Sequence, residues 1–285
     1  MISKRVVVFV CATLVGIVAC GVPLAAQSGL SGFFTSWEDR ARETLAEQPA
    51  WPTPLVTPSS GLLQLFRTDF LHQITPAGTS TWNYGNTKGF DLVPWYKLEF
   101  DVYIPPYIQH NSPAKDGFGD FSMLLKYRLL GADQAHGNYA LSVALATTLP
   151  TGSYKNGSLT STVTPTIFAG KGFGKFDVQS SLGETLPTAD TAKQGRTMVW
   201  NTAAQYHIGK LFWPEVEDNA SFFLGGPRNG LMQNFLTPGL VVSKFKLEKD
   251  PQNRLAVMFG GGMQIATSEF HTFNHGLVLT ARMLF

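Results

Sequence analysis

The chain is short of cysteine, of charge and of long apolar runs, and each shortage removes a class of function. Its two cysteines, Cys11 and Cys20, both fall within the first twenty residues. From residue 27 onward no disulfide framework, thiolate metal site or cysteine nucleophile can be built. Charged residues make up only 15% of the 285, and the formal net charge of +2 is supplied by Lys4 and Arg5 alone. The remainder is neutral, which argues against a nucleic-acid partner, since that needs a basic face. Beyond residue 26 no apolar run is long enough for a membrane-spanning helix. No long-period repeat is present. The Gly170–Gly174 stretch GKGFG is followed by neither a Lys-Ser/Thr pair nor a helix, so it is not a phosphate loop.

What the chain does contain is Gly (28), Phe (21) and Pro (17), a composition that suits strands and turns. Its first residues read as an export signal. Lys4-Arg5 precedes the apolar run Val6–Val18, and Leu24-Ala25-Ala26 offers small residues for cleavage, giving a signal peptide over 1–26. Two other readings of this segment stay open. Ile17-Val18-Ala19-Cys20 has the form of a lipobox that would acylate Cys20. A single membrane anchor is the third, although the run is short and ends at Gly21 and Pro23. Residues 27–60 then form a periplasmic leader. The stretch Ser36–Leu45 predicts a short helix with Ser36 as N-cap, and Pro49, Pro52, Pro54 and Pro58 make an extended linker. Two placements fit this leader: outside a barrel with little fixed structure, or inside it as a plug.

From residue 61 to 285 the pattern is strand, turn, strand. Phe121, Met123, Leu125, Tyr127 and Leu129 alternate with Ser122, Leu124, Lys126, Arg128 and Leu130. The same period of two runs through Leu141–Leu149, Phe176–Leu182, Met198–Ile208 and Leu255–Ile265. The last strand places Leu277, Leu279, Ala281, Met283 and Phe285 on one face, opposite Val278, Thr280, Arg282 and Leu284. These segments run to about ten to fourteen residues, as a tilted membrane strand needs. Long polar connections (106–118, 150–162, 187–196, 227–235, 267–274) alternate with short ones (131–137, 170–175, 207–211, 249–253). The fold expected is an all-β, transmembrane, antiparallel up-and-down β-barrel of about twelve strands, with ten possible because 62–91 is hard to parse. Outer-membrane lipid and the barrel-assembly machinery are the partners expected, with Phe285 as the assembly signal.

The block Gly117–Leu130 (GFGDFSMLLKYRLL), with LSVALATTLPTG at 141–152 and GKGFGKFDVQSSLG at 170–183, resembles the MetA-pathway phenol-degradation family. The resemblance extends from Leu62 to Phe285. It implies an outer-membrane, transporter-like barrel acting on small, hydrophobic or aromatic compounds, and it supplies no catalytic residues.

Strand parity also nominates a lumen lining. With Leu98, Phe100, Val102 and Ile104 facing lipid, Lys97, Glu99 and Asp101 point inward, as do Lys126 and Arg128 on the next strand. Glu215, Glu217, Lys244, Lys246 and Arg282 belong to the same lining. Opposite signs should pair, because unpaired charges in a low-dielectric wall are costly. The residues then form a structural ladder or a charged constriction. Mixed sign argues against strong ion selectivity. Glu269, His271 and His275 share a loop, but no regular spacing fixes them as ligands, so no metal site or cofactor is expected. No Ser/His motif supports catalysis, so no enzyme is expected. The function indicated is a passive channel for an unspecified small solute. A structural or adhesion barrel and a barrel-embedded lipid hydrolase are the alternatives.

Overall fold

The computed structural model describes residues 32–33, 36–248 and 254–285. The expected export segment, residues 1–26, and the short turn expected at 249–253 lie outside them. Helix α1 (Trp37–Ala46) leads into strands β1 (Leu65–Ile74), β2 (Ser80–Tyr84), β3 (Gly89–Trp95), β4 (Leu98–Tyr103), β5 (Tyr107–Asn111) and β6 (Gly117–Phe118). Nine long strands follow: β7 (Phe121–Ala132), β8 (Tyr139–Leu149), β9 (Thr162–Phe173), β10 (Phe176–Pro187), β11 (Arg196–Tyr206), β12 (Phe212–Leu224), β13 (Met232–Lys246), β14 (Ala256–Ala266) and β15 (His275–Leu284). A four-residue helix, α2 (Thr191–Gln194), sits in the β10–β11 loop.

Each strand pairs antiparallel with its neighbour, and β15 pairs with β1 from Leu65↔Leu284 to Ile74↔His275. This contact closes the sheet into a ring of twelve: β1, β3, β4 and β7 to β15. Closure leaves no free edge, so every wall strand finds its backbone partners within the protein. The remaining three segments prolong three wall strands at the long-loop end. β2 continues β3 along β1, β5 continues β4 along β2, and β6 continues β7 along β5. The interruptions at 85–88, 104–106 and 119–120 lie side by side, joined by Ile104 N–H to Lys88 O (2.7 Å) and Gly119 N–H to Pro106 O (2.8 Å). Pro105 and Pro106 have no N–H to give a ladder, and this is where the strand breaks. The stretch 106–118, expected as a loop, therefore holds two short strands, and a sequence parse of 62–118 is correspondingly difficult.

Outward positions carry Leu125, Leu145, Ile167, Leu182, Trp200, Leu236, Phe259 and Leu279, all large, apolar and exposed. At the short-turn end this band finishes in Trp95, Tyr139, Phe173, Phe176, Tyr206 and Phe212, also exposed, which form an aromatic girdle. Inward positions are polar or small. The helix forms where the sequence places it, but Ser36 does not cap it. The Ser36 hydroxyl instead donates to Gly32 O (2.7 Å) and accepts from Arg40, so the backbone N–H groups of the first turn gain nothing from it.

Candidate functional site

The leader enters the barrel. Its four prolines remove backbone donors and bar the segment from helix or sheet, yet the remaining N–H and C=O groups are buried and need partners. The inward side chains of the wall supply them, sorted by charge. Cations take carbonyls: Arg282 donates to Thr53 O and to Pro54 O (2.6 Å), and Lys126 donates to Ser59 O (2.8 Å) and Gly61 O (2.5 Å). Carboxylates take N–H groups: Glu215 accepts from Leu55 (3.0 Å), Glu217 from Val56 (2.9 Å) and Thr57 (2.5 Å), and Glu99 from Leu63. Gln179 does both, accepting from Ser60 N–H (3.1 Å) and donating to Pro52 O (3.2 Å). Bonds of this kind, with one partner ionised, are the stronger class, at roughly 1.5–3 kcal/mol each.

One apolar anchor joins these polar ones. Leu55 is 2% exposed and packs with Val241, Met258 and Val278. It fits only because three wall positions are glycine. A Cβ built on Gly239, Gly260 or Gly262 would lie 2.4, 2.7 or 2.7 Å from a Leu55 methyl. At the barrel mouth, Ala41 of α1 packs with Leu62 and Val93. There Arg128 donates to Thr44 O and pairs with Glu47 at 2.9 Å.

The segment fills only half the lumen. Thr57 reaches Asn219, midway along β12. Below that depth inward residues are buried: Ser142 on β8, Asp177, Gln179 and Ser181 on β10, Glu215 and Glu217 on β12. Above it the same strands turn Ala144, Ala146, Thr148, Gly183, Thr185, Ser221 and Phe223 inward, and all are half-exposed. None of these is charged. On these three strands the charges therefore lie at the leader's depth, and their half toward the long loops is open and uncharged.

Of the nominated lumen residues, Glu99, Asp101, Lys126, Arg128, Glu215, Glu217 and Arg282 are inward and at most 4% exposed. The expected cross-strand ladder is replaced. Glu99 faces Lys126 in register, and the two pair at 3.4 Å. Asp101, however, lies opposite Leu124 and takes the Tyr103 hydroxyl (2.9 Å), while Arg128 turns to the leader. Lys97 is not in the lumen. It occupies the β3–β4 turn with φ 61°, its ammonium 5.2 Å from the centre of the Tyr96 ring. Lys244 and Lys246 lie at the short-turn mouth, exposed at the end of β13; the register shift between Val242 and Phe245 sets Phe245 outward and Lys246 opposite buried Ala256, so both lysines share the inward parity there. His271 ties its own loop, bonded to Ser268 O and Asn274 Oδ1, both at 2.9 Å. Phe285, just past β15, is half-buried, its N–H 3.5 Å from Gln64 O.

Sequence reasoning missed Arg67 and Asp69 of β1, paired at 2.5 Å, and Asp91 of β3, all buried. The alternation Leu65-Phe66-Arg67-Thr68-Asp69-Phe70 carried the signal, but the broken strands around it hid the parity.

This geometry makes a test of Lys126 specific. Lys126→Met should destabilise the protein by about 3–5 kcal/mol, because a buried carboxylate loses its partner. Adding Glu99→Gln should recover only part of that, since the Ser59 and Gly61 carbonyls stay unanswered. Complete recovery in urea unfolding would mean that Lys126 serves Glu99 alone.

A closed ring of twelve antiparallel strands, apolar outside and polar within, defines an outer-membrane β-barrel. The chain belongs to the family described as "Putative MetA-pathway of phenol degradation", whose profile matches residues 60–217. Among solved structures it is similar to the COG4313 outer membrane channel from Pseudomonas putida F1, at 13% identity and TM-score 0.55, over 84% of this chain and 98% of that one. A more distant likeness is to the NanC porin, at 9% identity and TM-score 0.48, over 76% of this chain and 98% of that one. Among curated proteins none matches by sequence.

Proposed function

We propose that this protein is a passive, non-enzymatic outer-membrane channel for small compounds of low polarity. In this reading residues 1–26 direct export, the short turns face the periplasm and the long loops face outward. The observation that carries it is the uncharged, half-exposed vestibule wall of β8, β10 and β12 above a leader that closes the other half of the lumen. A neutral wall imposes no desolvation of fixed charge on an apolar solute, and the leader keeps the remaining passage narrow. The family name and the channel from Pseudomonas putida F1 point the same way.

Planar-bilayer recording of the refolded, full-length protein tests the reading. A small steady conductance is expected, interrupted when benzyl alcohol is added on the long-loop side. Glucose at equal concentration should interrupt it less. Folded protein that never conducts would defeat the channel reading and favour a structural barrel.

A further inference from the structure

A second cavity, of about 240 Å³, lies at the short-turn mouth between the leader and the ends of β13, β14 and β15. Leu45, Trp51, Met258 and Leu284 give it apolar walls, and Arg42, Lys244 and Arg254 bring three cations to it. Among the described residues only Arg42 of these three is in an ion pair, with Asp39 at 3.0 Å and Glu38 at 4.0 Å on its own helix. No salt bridge to Lys244 or Arg254 occurs among the described residues. Arg254 Nη1 is out of contact with solvent and has no hydrogen-bond partner there. Elsewhere in this lumen cations are spent on leader carbonyls, as with Arg282 and Lys126. Here, beside an apolar wall, two have no ion pair among the described residues.

We infer that this mouth cavity binds a small organic carboxylate, its apolar body against Trp51 and Met258 and its anionic head between Lys244 and Arg254. Like charges brought together at a partly dry surface repel, and an anion between them relieves that repulsion. A guanidinium with a free N–H suits a carboxylate oxygen. The volume falls below the range of roughly 300–1,000 Å³ typical of drug-sized ligand sites, so a single ring or a short chain fits. The site is separate from the vestibule, and occupancy at equilibrium does not depend on permeation. Its failure and the failure of the channel reading are therefore distinguishable.

The test is isothermal titration of the refolded full-length protein with benzoate, benzamide and inorganic phosphate. Benzoate should bind. Benzamide, which lacks the charge, and phosphate, which lacks the apolar body, should each bind about tenfold more weakly or not at all. Lys244→Gln and Arg254→Gln should each weaken benzoate by about tenfold, and Arg254→Lys should retain part of the affinity. Folding of each variant is checked by heat-modifiable gel mobility, and Arg254→Lys serves as the reporter if a glutamine variant does not fold. Equal binding of benzoate and benzamide, equal binding of benzoate and phosphate, or unchanged affinity in the folded variants would overturn the inference.

Discussion

Deleting residues 32–60 should convert the barrel into a wide, weakly selective pore that unfolds more easily than the intact protein. The ring closes without them, since β1 begins at Leu65 and pairs with β15 from that residue onward. What the deletion removes is the occupant of the lower lumen. Eight-stranded barrels are filled by their own side chains, whereas barrels of sixteen strands or more hold an aqueous channel. Twelve strands fall between, so here the leader decides how much of the lumen conducts. Single-channel conductance should rise several-fold. Stability should fall at the same time, because Arg282, Lys126, Glu215 and Glu217 lose the backbone groups they bind. Water entering the emptied lumen would offset part of that loss by solvating them. Conductance equal to that of the intact protein would show that residues 32–60 do not obstruct the pore.

The second large effect concerns Leu55 and the glycines around it. Leu55→Ala should cost about 2–5 kcal/mol, the range for emptying a buried leucine site. Gly239→Ala should be costly for the opposite reason, since its Cβ would stand 2.4 Å from a Leu55 methyl and 3.2 Å from Gly261 O. The two changes should compensate. The double variant should be more stable than Gly239→Ala alone, because the shortened side chain vacates the space the new methyl takes. Chemical denaturation in detergent reads all three. Strict additivity would mean that the leader is not seated against Gly239.

Much of the fold was legible because membrane strands obey a simple rule. Leu125, Tyr127 and Leu129 outward with Lys126 and Arg128 inward is read directly from a period of two, and the wall follows once one face is assigned. The rule failed where the backbone departs from it. Gly85–Lys88, Pro105-Pro106 and Gly119-Asp120 divide three strands, and the shift between Val242 and Phe245 reverses the parity of β13, from Val241 inward before it to Lys246 inward after it. The partners of the inward charges were beyond the sequence for a different reason. Strand parity says which way Arg282 points. It does not say that Arg282 meets the carbonyls of Thr53 and Pro54, more than two hundred positions away along the chain. The triplet Gly260-Gly261-Gly262 reads as small wall residues, and only the position of Leu55 explains why two of them are bare.

The wall grips its occupant almost entirely by main-chain atoms. Carbonyls and N–H groups are the same in every amino acid, so the charged rungs of the lumen are largely blind to the leader's sequence. They require an extended chain that cannot coil on itself, which is what Pro49, Pro52, Pro54 and Pro58 enforce. Leu55 and its glycine-lined hole then act as a detent, fixing how far the thread has been drawn in. Slippage by one residue would pull Leu55 from its hole and, in one direction, bring Pro58, which has no N–H, opposite Glu217.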